Sequence, residues 1–231
     1  ETAKEYFKNP DESIRKQTYE KLNIVYKKLA NVYASTLEGT IKKDVFYSKV
    51  RKFKTPLEAS TFGDEVTEEL FYKVLESANN TYHKYYLEYL DTAKKLMNKE
   101  VLQMYDLRYP LVKEPDKKYT LDDAFNLIFE ATKNFGEEYR KILEKAREER
   151  WIDYMPCEGK RHGAYSSGCY DTNPYILTSF IGDIESIFTL IHELGHSVHS
   201  YLSYHNQEYV NSGYRIFVAE VASTVNENLL M

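Results

Sequence analysis

Asp183-Ile184-Glu185-Ser186-Ile187-Phe188-Thr189-Leu190-Ile191-His192-Glu193-Leu194-Gly195-His196-Ser197-Val198-His199-Ser200-Tyr201-Leu202-Ser203-Tyr204 is the stretch whose periodicity decides the fold. Its apolar residues Ile184, Ile187, Phe188, Ile191, Leu194, Val198 and Leu202 fall at offsets of 3, 1, 3, 3, 4 and 4, one buried stripe of a helix. His192 and His196 stand four residues apart, so both imidazoles project from one face and can grip a single ion. Glu193 is offset by one residue. It flanks that ion without ligating it and suits a general base acting on water at the metal. Gly195 puts no side chain inside the motif, which leaves room for another backbone or helix to approach closely. The His-Glu-x-x-His pattern on a helix points to one zinc ion per chain.

Two histidines do not complete a zinc site. His199 lies one turn beyond His196, but His192 to His199 spans about 10 Å of helix rise. Three side chains in a row along one straight helix do not converge on one ion, so His199 reads as a packing or ligand-supporting residue. His205 reads as a solvated histidine near the helix end. A second helix solves the geometry. After a loop over 206–213, residues 216–231 are again helical and contain Glu220 and Glu227. Glu220 sits between Val218-Ala219 and Val221-Ala222, where a carboxylate is costly unless it is paired or bound to metal, so it is the preferred third ligand. Glu227, on the same face two turns later, fits either a carboxylate orienting a ligating histidine or a solvated charge. Glu208, in the loop, is a weaker third-ligand candidate. His83, in a Tyr-rich helix, reads as structural, while His162 lies in a glycine loop that could face substrate.

Outward from the motif, the chain before it reads as helix after helix. Asn9-Pro10 resembles a cap with proline at the first helical position, and the apolar run from Ile14 to Leu37 predicts a helix ended by Gly39. Thr67-Glu68-Glu69 opens a second long helix with apolar positions from Leu70 to Leu96. Thr120 with Asp123 resembles a capping box for a helix through Thr132. Gly136 then precedes a charged helix over 137–150. The 22 tyrosines fall mostly on helical stripes and read as packing surface with a polar tip. The texture changes at Trp151. Residues 159–180 carry glycines, serines and a strand-like Tyr175-Ile176-Leu177-Thr178-Ser179-Phe180, which predicts one hairpin ahead of the motif helix.

The composition excludes several classes. A net charge of −5 gives no reason to expect nucleic acid or an anionic membrane surface as partner. The longest apolar runs are far too short to span a bilayer. Residues 1–5 are polar and unlike a secretory leader. Cys157 and Cys169 have no Cys-x-x-Cys partner and read as reduced thiols, so the expectation is a cytoplasmic protein. The chain starts without Met and stops inside an apolar helical run with no stop signal, which predicts a piece of a longer protein.

His192-Glu193-Leu194-Gly195-His196-Ser197-Val198-His199-Ser200, with Phe217-Val218-Ala219-Glu220-Val221-Ala222-Ser223-Thr224 downstream, resembles the oligoendopeptidase F group of the thimet oligopeptidase family of zinc metallopeptidases. So do Gly159-Lys160-Arg161-His162-Gly163-Ala164-Tyr165-Ser166-Ser167-Gly168, Asn173-Pro174-Tyr175-Ile176-Leu177, Lys43-Asp44-Val45-Phe46-Tyr47 and Met104-Tyr105-Asp106-Leu107. The resemblance runs over nearly the whole chain. It implies zinc held by His192, His196 and Glu220, with Glu193 as base, in an endopeptidase acting on short peptides. The fold it implies is mainly α and zincin-like, with the small β-hairpin before the motif helix, as part of a larger two-lobed helical enzyme with a deep channel. Residues 1–231 would form one incomplete catalytic domain, with 1–150 as helical scaffold and 151–231 as hairpin plus zinc-site helices. The strand Tyr175 to Phe180 would be the edge along which a peptide backbone pairs. The family also stabilises the oxyanion with a His- and Tyr-bearing segment beyond the third ligand, for which this chain has no residues. Two other readings share the motif: a zinc aminopeptidase, and a non-catalytic scaffold with structural zinc. Structural sites are closed by four protein ligands, whereas two His and one Glu leave a position open.

Overall fold

A computed structural model of the chain describes residues 2–112, 117–161 and 163–231. The substrate-facing reading of His162 therefore concerns a residue outside the described set. Contacts divide the chain into two units, Glu1–Pro115 and Asp116–Met231. The first holds helices α1 (Thr2–Phe7), α2 (Glu12–Lys28), α3 (Ala30–Val50), α4 (Pro56–Thr61) and α5 (Glu68–Leu96). Where one helix was expected from Pro10 to Gly39, the chain makes two. Asp11, rather than Asn9, caps α2 by accepting from the Ser13 N–H at 2.8 Å, and Asn9 Oδ1 accepts from the Asp11 N–H. Gly39 lies inside α3. A mid-helix glycine costs only about 1 kcal/mol relative to alanine, too little to stop a helix flanked by good formers. The stop comes instead at Arg51 and Lys52, the latter with φ at 63°. Thr67 caps α5 as predicted, accepting from the Leu70 N–H at 3.1 Å. The tyrosines of α5 depart from the packing expectation: Tyr72, Tyr82, Tyr85 and Tyr89 are exposed.

The second unit holds α6 (Leu121–Ala131), α7 (Glu137–Glu148), β1 (Ile152–Asp153), β2 (Tyr165–Ser167), β3 (Tyr175–Leu177), α8 (Ile184–Asn206) and α9 (Ile216–Leu230). Thr120 and Asp123 form the predicted capping box, each side chain accepting from the other's backbone N–H. Phe125 and Ile128 of α6, Leu143 of α7, Trp151, Ile176 of β3 and Leu190, Ile191 and Leu194 of α8 close into one buried core. The motif helix thus lies with α6, α7 and the strands on its apolar side. The expected hairpin is β2–β3, antiparallel with Ser166 opposite Ile176. β1 adds a third strand, parallel to β3, which two residues of sequence give no alternation to reveal. The strand order is β1-β3-β2. This corrects the edge assignment: the Tyr175–Phe180 segment is central. Its backbone is already used toward β1, with Ile176, Thr178 and Phe180 N–H groups donating to the carbonyls of Trp151, Asp153 and Tyr154. The strand on the rim beside α8 is β2. Among the described residues no helix is long and apolar enough to cross a membrane.

The first unit is anchored on an ionic cluster rather than an apolar centre. Arg15 and Asp106 pair at 2.8 Å with side chains 3% and 0% exposed. Lys99 Nζ donates to Asp106 Oδ2 and also pairs with Glu12, both at 2.8 Å. Arg15 Nη1 donates to the carbonyls of Asn9 and Pro10, which fixes the turn between α1 and α2. Burial pushes the Asp106 carboxyl up, but hydrogen bonds from Lys99, Arg15 and the Gln103 N–H outweigh it and hold the group below the usual carboxylate range. A carboxyl depressed in the folded state stabilises at neutral pH, and that contribution is lost as pH falls through its folded-state value. Asp106→Ala leaves two cations without their shared partner and is expected to destabilise the chain by about 3–5 kcal/mol. Urea unfolding across pH checks this: the parent should lose stability in acid more steeply than the variant, and equal slopes would refute the assignment.

Candidate metal centre

The site is built by two helices packed unusually closely. Asp183 caps α8 by accepting from the Ser186 N–H at 2.8 Å. The preceding Gly182 has φ at 77°, and a Cβ there would lie 2.7 Å from the Tyr119 carbonyl oxygen. This seats the start of α8 against the residue that leads into α6. At the motif, a Cβ on Gly195 would lie 2.8 Å from the Ala222 carbonyl oxygen, 2.9 Å from Asn226 Nδ2 and 2.9 Å from Ser223 Cα. No real Cβ fits there, so the backbone of α9 takes the space that every other residue type would fill. The sequence expectation that Gly195 admits another helix is met by α9.

That approach brings three donor atoms together. His192 Nε2 and His196 Nε2 are 3.2 Å apart, and Glu220 Oε2 lies 3.7 Å from each. A point equidistant from all three lies about 2 Å from each, the length of zinc–imidazole and zinc–carboxylate bonds. The donor set therefore fits a small divalent cation. Of the described residues, these three form the group able to hold one. Two imidazoles and one carboxylate suit zinc better than a hard, oxygen-preferring cation. The histidine side chains are 27% and 16% exposed and that of Glu220 is 49%, so the group is reached from solvent.

The supports come from α9 as well. His192 Nδ1 donates to Glu227 Oε1, which leaves Nε2 with its lone pair toward the cradle. Burial, with His192 beside it, holds the His196 pKa below the ordinary histidine value despite Glu220 and the Ala219 backbone nearby. A neutral imidazole is the form that ligates a metal. Glu193, the residue next to His192, is buried, 6% exposed. Burial pushes its carboxyl up, partly opposed by His192 and the Ser166 backbone, with Glu220 adding to the rise. A carboxylate made more basic by its surroundings is suited to take a proton near neutral pH. β2 lies against this region through Ser166 Oγ and Ser197 Oγ, 2.8 Å apart.

Other expected residues lie outside the donor group. His199 stacks on Tyr214, ring centroids 4.0 Å apart, with burial lowering its pKa. His205 stacks on Tyr201 and Glu208 is exposed in the loop. His83 is exposed on α5 rather than packed. Cys157 and Cys169 are free and exposed. Three residues that reading by motif passes over matter here. Asn226, buried on α9, exchanges hydrogen bonds with the Tyr139 hydroxyl at 2.7 and 2.9 Å and donates to the Ile191 carbonyl, tying α9 to α7 and α8. Burial pushes the Tyr139 hydroxyl up to about 12, so it stays protonated. Ser223 is buried against Gly195. The signal was available: Glu220, Ser223 and Asn226 are three apart, a stripe of polar residues on one helix face.

The model of peptidase family M3 matches residues 6–231. The oligopeptidase PepF of Bacillus subtilis is 40% identical over 226 residues, covering 97% of this chain and 33% of that protein. The chain thus spans about a third of that relative's length. A solved structure from Chlamydophila abortus superposes with a TM-score of 0.83 at 32% identity, over 99% of this chain and 38% of that one. The oligoendopeptidase F structure from Enterococcus faecium gives 0.65 at 28% identity, over 99% and 33%.

Gly195→Ala tests the close approach directly. The added methyl must push α9 outward, which is expected to cost about 1–3 kcal/mol. Because Glu220 travels with α9, zinc affinity should fall by more than about tenfold. Chelator competition and urea unfolding read the two effects, and zinc held as tightly as in the parent would show that this contact does not set the cradle.

Proposed function

Because this chain belongs to peptidase family M3, we propose that it carries the metal cradle and the general base of a zinc-dependent endopeptidase that hydrolyses short peptides. The observation that carries the reading is the convergence of His192, His196 and Glu220 on one point, with buried Glu193 one residue away and the group reached from solvent. Three protein ligands leave a fourth position for water or substrate, as in catalytic rather than structural zinc sites. Zinc held there supplies Lewis-acid polarisation of the scissile carbonyl and lowers the pKa of a water molecule beside it.

The chain's own residues do the rest. Glu193 accepts a proton from the attacking water as that oxygen bonds to the carbonyl carbon. It then delivers a proton to the departing amine as the C–N bond breaks. Glu227 keeps the His192 ring oriented through Nδ1. An extended peptide adds to the free rim of β2, the strand held against α8 by the Ser166–Ser197 pair. This replaces β3, whose position between β1 and β2 leaves it no free edge.

Glu193→Gln keeps the shape of the side chain but removes the base. It should retain stoichiometric zinc by elemental analysis while turnover of a quenched-fluorescent peptide falls about 10²- to 10⁴-fold. Turnover is read on the intact protein that carries this chain, zinc content on the chain itself; substantial residual cleavage would sink the role. Chelation should abolish cleavage and added zinc restore it. N-acetylated peptides should be cut as well as free ones, and a strict need for a free amine would point to an aminopeptidase instead.

A further inference from the structure

We propose that Ser223 is a positioning residue for the third metal ligand: its buried hydroxyl donates to Glu220 Oε2 and fixes that oxygen within reach of both histidines. The inference rests on the reading of Glu220 as a ligand. Glu220 and Ser223 are three residues apart on α9 and share a face. Ser223 Oγ lies 2.9 Å from Glu220 Oε2, and this same Oε2 is the atom 3.7 Å from the Nε2 of His192 and of His196. The anchored atom and the donor atom are one and the same.

Ser223 is fully buried, with its Cα against Gly195. Its hydroxyl has no water to turn to, and its two acceptors both belong to Glu220: the carboxylate and, at 3.0 Å, the backbone carbonyl. A helical serine back-bonds to the i−3 carbonyl as a matter of course, so that contact alone would carry no meaning. A hydroxyl has one proton, however, and an ionised carboxylate is the stronger acceptor. Glu220 also needs an anchor. Its side chain is half exposed, and a free glutamate loses considerable rotamer freedom when it is held in one geometry. Two of the three donors are then held by side chains of α9: His192 by Glu227 and Glu220 by Ser223.

The test is a double-mutant cycle read on zinc affinity by chelator competition, with the visible spectrum of the cobalt(II)-substituted chain as a second measure. Ser223→Ala removes one oxygen and adds nothing to the Gly195 contact. It should weaken zinc about 10- to 100-fold, the range for residues that support a metal ligand, and shift the cobalt d–d bands. Glu220→Ala should weaken zinc further, and adding Ser223→Ala to it should change affinity by no more than about twofold, because the hydroxyl then has no ligand to hold. A purely structural serine would lower the melting temperature of the metal-free chain and leave zinc affinity and the cobalt spectrum as in the parent; that result overturns the inference while leaving Glu220 as ligand. Equal losses from Ser223→Ala with and without Glu220 also overturn it. If Glu220→Ala binds zinc like the parent, the ligand reading itself falls, and the inference with it.

Discussion

The site depends on how near the backbone of α9 can come to α8, and that is set by the missing side chain at Gly195. Packed helices usually keep their axes about 8–10 Å apart, a distance fixed by the residues at the contact. Here the contact on one side is a glycine, and the Ala222 carbonyl and Ser223 Cα occupy the place of a side chain. Neither helix is free to adjust. α8 is held from behind by Ile187, Leu190, Ile191 and Leu194 in the core it shares with α6, α7 and β3. α9 is held by Asn226, which bonds to Tyr139 of α7 and to the Ile191 carbonyl. The distance between Glu220 and the two histidines is therefore a consequence of core packing, not of the donors' own attraction.

Two carboxylates one helix apart are given opposite surroundings. Glu193 is buried, so its neutral form is favoured and its anion is a better base. Glu220 stands half exposed at the mouth of the cradle, where a charged ligand costs little desolvation until a cation arrives. The histidines are treated in the complementary way. Burial disfavours a proton on His196, and the carboxylate of Glu227 holds the His192 proton on Nδ1. Separating environments in this manner is how one site assigns acid–base work and metal binding to chemically similar side chains.

Much of this could be read from the residues, because the strongest signals are periodic and local. The apolar stripe from Ile184 to Leu202 and the Thr120–Asp123 box each lie within a few turns of one helix; both helices formed, α6 with that capping box. Glu220 was singled out by the cost of burying a carboxylate among valines and alanines. The structure sets it beside the histidines, yet half exposed between exposed Val218 and Val221, so its position there does not come from burial. What was not legible depends on tertiary contact. Asn9-Pro10 and Gly39 carry local cap signals, yet Asp11 and Lys52 end up at the boundaries. β1 is a strand only because β3 lies beside it, so two residues could not announce it. The same strand moved Tyr175–Phe180 from the rim to the centre of the sheet. Ser223 and Asn226 acquire their roles from what faces them across the Gly195 contact, which no single helix encodes.

Helix docking and metal binding are consequently two descriptions of one equilibrium. A cation that binds the assembled cradle and not the open chain stabilises the α8–α9 contact by mass action, about 4 kcal/mol when its free concentration is a thousand times the dissociation constant. Conversely, any loosening of α9 lowers the fraction of chains whose three donors converge, and apparent affinity falls by that fraction. On the proposed reading, loss of zinc alone therefore cannot identify a ligand: Gly195, Asn226 and Tyr139 would act on affinity through the position of α9, whereas His192, His196 and Glu220 would act at the cation. The two groups separate only in the metal-free state. Residues that pack α9 change the stability of the apo chain, while donors exposed at the cradle mouth, Glu220 above all, leave it nearly as it was.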